Sequence, residues 1–179
     1  LVQAVDQAEM AVKLAPKNPD AHLLLGGLYS SSKLYDEAME QYAEVLKLNP
    51  ANTEAGLYIG AILSEQRKYD QSIAHFKKMA AQNKAQAHVA WYYLGRVEME
   101  RKRDKAAEEA FRKATSLKPE FVEAVLALGY LYETQKKNPQ AVQVYQNYQD
   151  KFGPSAKVAS ALGKLYMDKD QYLEAYKQF

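Results

Sequence analysis

Five glycines, Gly26, Gly60, Gly95, Gly129 and Gly163, stand 34, 35, 34 and 34 residues apart, each inside an apolar run. The runs read LLLGGLY from Leu23, LYIGAIL from Leu57, WYYLGRVEM from Trp91, VLALGYLY from Val125 and SALGKLY from Ser160. A glycine inside a helix costs roughly 0.5–1 kcal/mol relative to alanine, so a periodic series of them has to make room for something. After each glycine comes a small residue and, four positions on, an aromatic one: Ala38 with Tyr42, Ser72 with Phe76, Ala107 with Phe111, Ala141 with Tyr145, Ala175 with Phe179. Pro16, Pro50 and Pro119 close units at one register, where Lys84 and Gly153 stand in the others. Self-similarity at this period makes the chain an array of equivalent modules.

Each module carries two apolar stripes at i, i+3, i+4 and i+7, separated by a short polar turn such as SSKLYD or ERKRDK. That periodicity is helical, so each module is an antiparallel helix pair. Asp, Asn or Pro opens many of the helices, in NPDA, YDEA, YDQS, KPEF and NPQA, where free amides and the positive dipole end favour them. Strand signals are negligible. A single pair cannot bury both its faces, so the modules stack. The glycines are expected to let the small residue of the second helix approach closely, with Tyr29, Tyr42, Phe76, Phe111, Tyr132 and Tyr145 filling the space beside that contact. Gly27 falls outside the register and is expected to mark a further close approach.

The pattern resembles the tetratricopeptide repeat over essentially the whole chain, with Trp91, Leu94 and Gly95 at the family spacing in the third full unit. Departures are local: Ala8 stands for an aromatic, Val45, Met79 and Tyr148 for an alanine, and one extra residue enters near Asn83. The resemblance implies an all-α fold, a right-handed superhelical solenoid of antiparallel pairs. A half repeat covers 1–18, full repeats 19–52, 53–87, 88–121 and 122–155, and a truncated one 156–179.

Composition excludes several functions. Cysteine is absent, which removes disulfides and thiol chemistry. Lys and Arg number 24 against 22 Asp and Glu, so charge balance points to neither nucleic acid nor an anionic membrane. No apolar run approaches the ~20 residues that span a bilayer. The only histidines, His22, His75 and His88, are scattered and match no metal motif, and no phosphate loop or nucleophile motif occurs. No catalytic residue, cofactor or metal is expected. The run Arg101, Lys102, Arg103 and Lys105, diluted by Glu98, Glu100 and Asp104, reads as a solvated hairpin tip. Most of the 14 tyrosines, including Tyr29, Tyr132, Tyr166 and Tyr172, fall at packing positions.

In the family, first helices line a concave groove that holds a segment of another protein. Carried over by register, the resemblance points to Asp20, Leu23, Gly27 and Ser30; Leu57, Ala61 and Ser64; Tyr92, Arg96 and Met99; Leu126, Tyr130 and Glu133; Ser160, Lys164 and Met167. The expected partner site is Tyr92, Arg96, Met99, Leu126, Tyr130, Glu133 and Lys164, because rigid tyrosines and charge-assisted donors anchor interfaces. Replacing Tyr92 and Arg96 together is expected to weaken capture of a partner without disturbing the fold. The family's Lys, Asn and Arg clamp for a terminal carboxylate is absent, its places holding Leu23, Gly27, Tyr58, Val89 and Tyr93.

The expected function is therefore a non-enzymatic scaffold that binds a protein or peptide. The chain starts at Leu1 in mid-pattern and reads as a fragment of a larger protein. Two alternatives stand beside this: a recognition arm of a multidomain enzyme, or a self-assembly module joining through open ends around Val5, Val12 and Tyr176. The compartment is not fixed by the sequence, with cytoplasm and periplasm both compatible.

Overall fold

A computed structural model describes residues 2–167, and among them every regular element is helical. The chain divides into two compact units, Leu1–Gln86 and Ala87–Phe179. In the first, α1 (Val2–Leu14), α2 (Pro19–Ser31), α3 (Tyr35–Leu48), α4 (Thr53–Glu65) and α5 (Tyr69–Gln82) pack each against the next, and one 3-10 turn follows at Lys84–Gln86. In the second, α6 (Ala87–Glu100), α7 (Asp104–Leu117), α8 (Val122–Thr134), α9 (Asn138–Phe152) and α10 (Ala156–Met167) do the same. The pair Ala175 with Phe179, together with Tyr172 and Tyr176, lies outside the described residues.

The periodic glycines sit on first helices, as expected, but what Gly26, Gly60, Gly95 and Gly129 receive is a ring. A Cβ on Gly26 would lie 2.8 Å from a Tyr42 ring carbon. The corresponding distances are 2.3 Å to Phe76 from Gly60, 2.5 Å to Phe111 from Gly95 and 2.2 Å to Tyr145 from Gly129. Real side chains do not come so close, so each ring lies directly over a glycine Cα. The expectation that small residue meets small residue is corrected accordingly. The small partner still packs nearby, since the Ser72 hydroxyl donates to the Gly60 carbonyl at 2.7 Å, but the aromatic ring occupies the notch. All four rings and Ala38, Ser72, Ala107 and Ala141 are fully buried, and burial of each ring contributes roughly 1.5–3 kcal/mol. Gly27 has only the Tyr42 hydroxyl near its Cβ position, at 4.0 Å, so the further close approach expected there is not found.

Among the described residues each hairpin tip within a repeat has one left-handed residue, Lys33, Arg67, Lys102 or Lys136, with φ of 58–60°. The next amide, of Leu34, Lys68, Arg103 or Lys137, donates five residues back to Tyr29, Leu63, Glu98 or Tyr132 at 2.8–2.9 Å. This is the Schellman closure, here built without glycine. The run around Lys102 is thus a hairpin tip, as read from the sequence. Glu98, however, is buried and not a solvated diluent of that charge, and one of its carboxylate oxygens has no hydrogen-bond partner.

Successive repeats are also tied by tyrosine hydroxyls. Tyr29 donates to Glu9 at 2.8 Å, and that carboxylate pushes its pKa up to about 12. Tyr132 donates to Glu108 and accepts from Arg112, both at 2.7 Å, and the Tyr132 bond holds the Glu108 carboxyl below its ordinary range. Tyr166 accepts from Gln146 at 2.7 Å. Counting in repeats, Tyr29 with Glu9, Tyr132 with Arg112 and Tyr166 with Gln146 join the same two registers, and Glu108 lies one turn before Arg112.

Candidate functional site

The seven expected partner-site residues all belong to the second unit, on first helices α6, α8 and α10. There α8 packs against both α6 and α10, so their exposed faces adjoin. Tyr130 is 54% exposed, and with Glu133, Lys164, Thr134, Lys136 and Asn138 it lines an open depression of about 450 Å³. Arg96 is exposed, its guanidinium carbon 5.9 Å from the Tyr92 ring centre and 5.5 Å from that of Tyr93. Such stacking holds a cation in place while leaving its donors free.

The remaining positions belong as much to the core as to the surface. Tyr92 is half-buried, with ring contacts to Phe111 at 6.1 Å and Phe121 at 5.4 Å. Met99 and Leu126 are likewise partly buried against the same core. Glu133 accepts a 2.7 Å bond from the Tyr145 hydroxyl, so part of its capacity is spent holding a notch ring. The expectation that Tyr92 could be removed without structural cost is therefore corrected: its truncation opens the space beside Phe111. Ser160 and Met167 are exposed on α10.

In the first unit, Leu23 and Gly27 line a depression of about 350 Å³ with Leu24, Leu28, Ser31, Glu54 and Tyr58. Leu24 and Tyr58 are 58% and 42% exposed; Leu24 is not among the register positions, and Tyr58 enters there only as a place of the absent carboxylate clamp. Their signal was an apolar residue one position off the buried stripe. Asp20 and Ala61 are exposed, Ser30 and Leu57 are half-buried, and Ser64 is buried beside Ile62 and Leu63, which removes it from the surface. Lys136 and Asn138 were missed because they lie beyond the first helix, in the hairpin and at the start of α9.

The histidines take inward positions. Buried His22 bonds Gln41 at 2.8 Å and the Pro16 carbonyl at 3.0 Å. His75 bonds the Gly56 carbonyl at 2.8 Å, and burial lowers its pKa. His88 sets its ring edge against Phe121 at 5.1 Å. Among the described residues no three His, Asp or Glu side chains are grouped to hold a metal, and no helix is long and apolar enough to cross a membrane.

No curated protein sequence matches the chain. Among solved structures, MamA is 24% identical, with 87% of this chain and 90% of that one covered at a TM-score of 0.63. PilW, described as a widely conserved type IV pilus biogenesis factor, is 22% identical, with 98% and 81% covered at 0.72. The pilF protein of Pseudomonas aeruginosa is 20% identical, with 97% and 81% covered at 0.70. At these identities the likeness concerns the fold. Two family models, each described as tetratricopeptide repeat, match residues 1–58, and 59–120 with 105–156. With the ring-in-notch pairs already placed by the structure, the chain belongs to the tetratricopeptide repeat family.

Proposed function

We propose that this chain is a non-enzymatic scaffold that holds an acidic, apolar-bearing protein segment on the first-helix face of its second unit. The observation that carries this reading is one surface: exposed Tyr130 beside Lys164, and Arg96 displayed on two tyrosine rings. Arg96 and Lys164 supply charge-assisted donors, and Tyr130 supplies rigid contact area. We read the repeats divided at 18/19, 52/53, 87/88, 121/122 and 155/156 as a single array and as part of a larger protein. MamA, PilW and the other neighbours support a protein-interaction role in general, and one of them, YrrB, is described as having an unusual peptide-binding site.

The test is capture from native lysate, comparing wild type with Arg96→Ala, Tyr130→Ala and Lys164→Ala combined. These three are exposed, so helicity and melting are expected to stay unchanged while specific partners are lost. Undiminished capture overturns the reading. Self-association is a second reading, favoured by Val2, Met10 and Leu14 on α1, each at least half exposed. Light scattering over a concentration series separates the two.

A further inference from the structure

Gly56 is not one of the ring-receiving glycines. It lies four residues before Gly60, at the register where other repeats carry His22, Trp91 and Val125. With no side chain there, a crevice of about 350 Å³ stays open in the first unit between second helices α3 and α5. Gly56 and Ile59 line it from α4, Leu46 from α3 and Met79 from α5. Its loop end is braced by Asn83, whose amide donates to the Ala51 carbonyl at 3.3 Å.

The second unit contains the same crevice two repeats later, between α7 and α9. Val125, Leu128, Val144 and Tyr148 there take the registers of Gly56, Ile59, His75 and Met79, and the space is about 220 Å³. The larger volume thus accompanies the missing side chain. A Cβ on Gly56 would already stand 3.2 Å from the Met79 sulfur.

Their charge differs in placement and not in sign: the second crevice is lined by one lysine, Lys151, held over the Phe152 ring at 5.3 Å, and by no carboxylate. The charged side chains lining the first crevice are Lys47 and Lys78, and no carboxylate lines it. Lys47 is paired with Glu44, whereas Lys78 forms no ion pair among the described residues. The register of Lys78 holds Asn147 in the second unit.

We propose that the crevice between α3 and α5 binds a small aliphatic carboxylate, its hydrocarbon body against Leu46, Ile59 and Met79 and its charged end at Lys78. A largely apolar cleft with a few polar groups at its edge, here Lys78, His75 and Gln82 among them, is the usual form of a small-ligand site, and this volume falls within the roughly 300–1,000 Å³ such sites span. The crevice is lined from α3, α4 and α5 of the first unit, so it shares no residue with the partner surface on α6, α8 and α10.

Octanoate titrated into the isotope-labelled full chain is the test, read by amide chemical shifts. Saturable shifts are expected at Leu46, Gly56 and Met79, with Val125 and Val144 unmoved. Lys78→Gln, an exposed change that leaves the fold intact, is expected to weaken binding about fivefold. Gly56→Val, which installs the side chain of the fourth full repeat, is expected to abolish it. Octylamine or octanol binding as well as octanoate, equal shifts in both crevices, or binding unchanged in either variant would overturn the proposal, as would the absence of saturation.

Discussion

Gly26 with Tyr42 in the first unit, and Gly129 with Tyr145 in the second, are one notch built twice, and their hydroxyls meet different fates. The Tyr145 hydroxyl donates to Glu133 at 2.7 Å and lies 3.5 Å from the Leu126 carbonyl. The Tyr42 hydroxyl is buried without a hydrogen-bond partner, its ring stacked on Tyr58 at 5.0 Å. Between them in the chain, Gly60 and Gly95 receive Phe76 and Phe111, which have no hydroxyl to place. The ring is what the notch requires; the oxygen stabilises only where an acceptor awaits it, and elsewhere it costs desolvation.

The sharpest way to break this comparison is to fill the notches. Gly129→Leu is expected to destabilise by about 3 kcal/mol, because the first added carbon already overlaps the Tyr145 ring at 2.2 Å. Gly26→Leu is expected to cost less, since Tyr42 stands further off at 2.8 Å. Urea denaturation of both variants measures the order. Equal melting of Gly129→Leu and wild type would remove the ring-in-notch account.

Removing only the hydroxyls tests the contrast more finely. Tyr145→Phe is expected to lose about 1–1.5 kcal/mol with its bond to Glu133, whereas Tyr42→Phe is expected to be neutral or stabilising. The alkaline limb gives a second readout. Burial pushes the Tyr42 pKa up to about 12, against an unfolded value near 10. The unfolded state therefore releases its proton first, and stability present below pH 10 is lost as pH rises toward 12. Tyr42→Phe should remove that share of the loss. An unchanged alkaline slope would show that the hydroxyl is already solvated.

The period made equivalence legible: it paired Gly26 with Gly129, and Tyr42 with Tyr145, and it assigned first and second helices. It left open which of two facing groups makes the contact, and for that reason the ring, not the small residue, came as a correction. Glu98 was legible in principle, because its register is that of Tyr29, Leu63 and Tyr132, all inward positions. Its charge and its basic neighbours suggested solvent, but position in the repeat decided. The partner surface was legible only by analogy of register, which is blind to half-burial: Tyr92 and Arg96 lie four residues apart, yet one packs against the core and the other does not. The left-handed residues Lys33, Arg67, Lys102 and Lys136 left no trace in sequence, since glycine usually fills that place.

The smallest expected effect separates two adjacent residues. Gly26 and Gly27 are consecutive on α2 with the same helical backbone, so their intrinsic propensities are equal and only surroundings differ. An alanine at Gly27 places its methyl carbon 4.0 Å from the Tyr42 oxygen, an ordinary contact. It should therefore realise most of the roughly 0.5–1 kcal/mol that alanine gains over glycine in a helix. At Gly26 the same carbon meets the Tyr42 ring at 2.8 Å in a fully buried site, and the overlap outweighs the propensity gain. The two variants are expected to shift the melting temperature in opposite directions. If both rise, Tyr42 yields without cost, and the glycine period records something other than room for a ring.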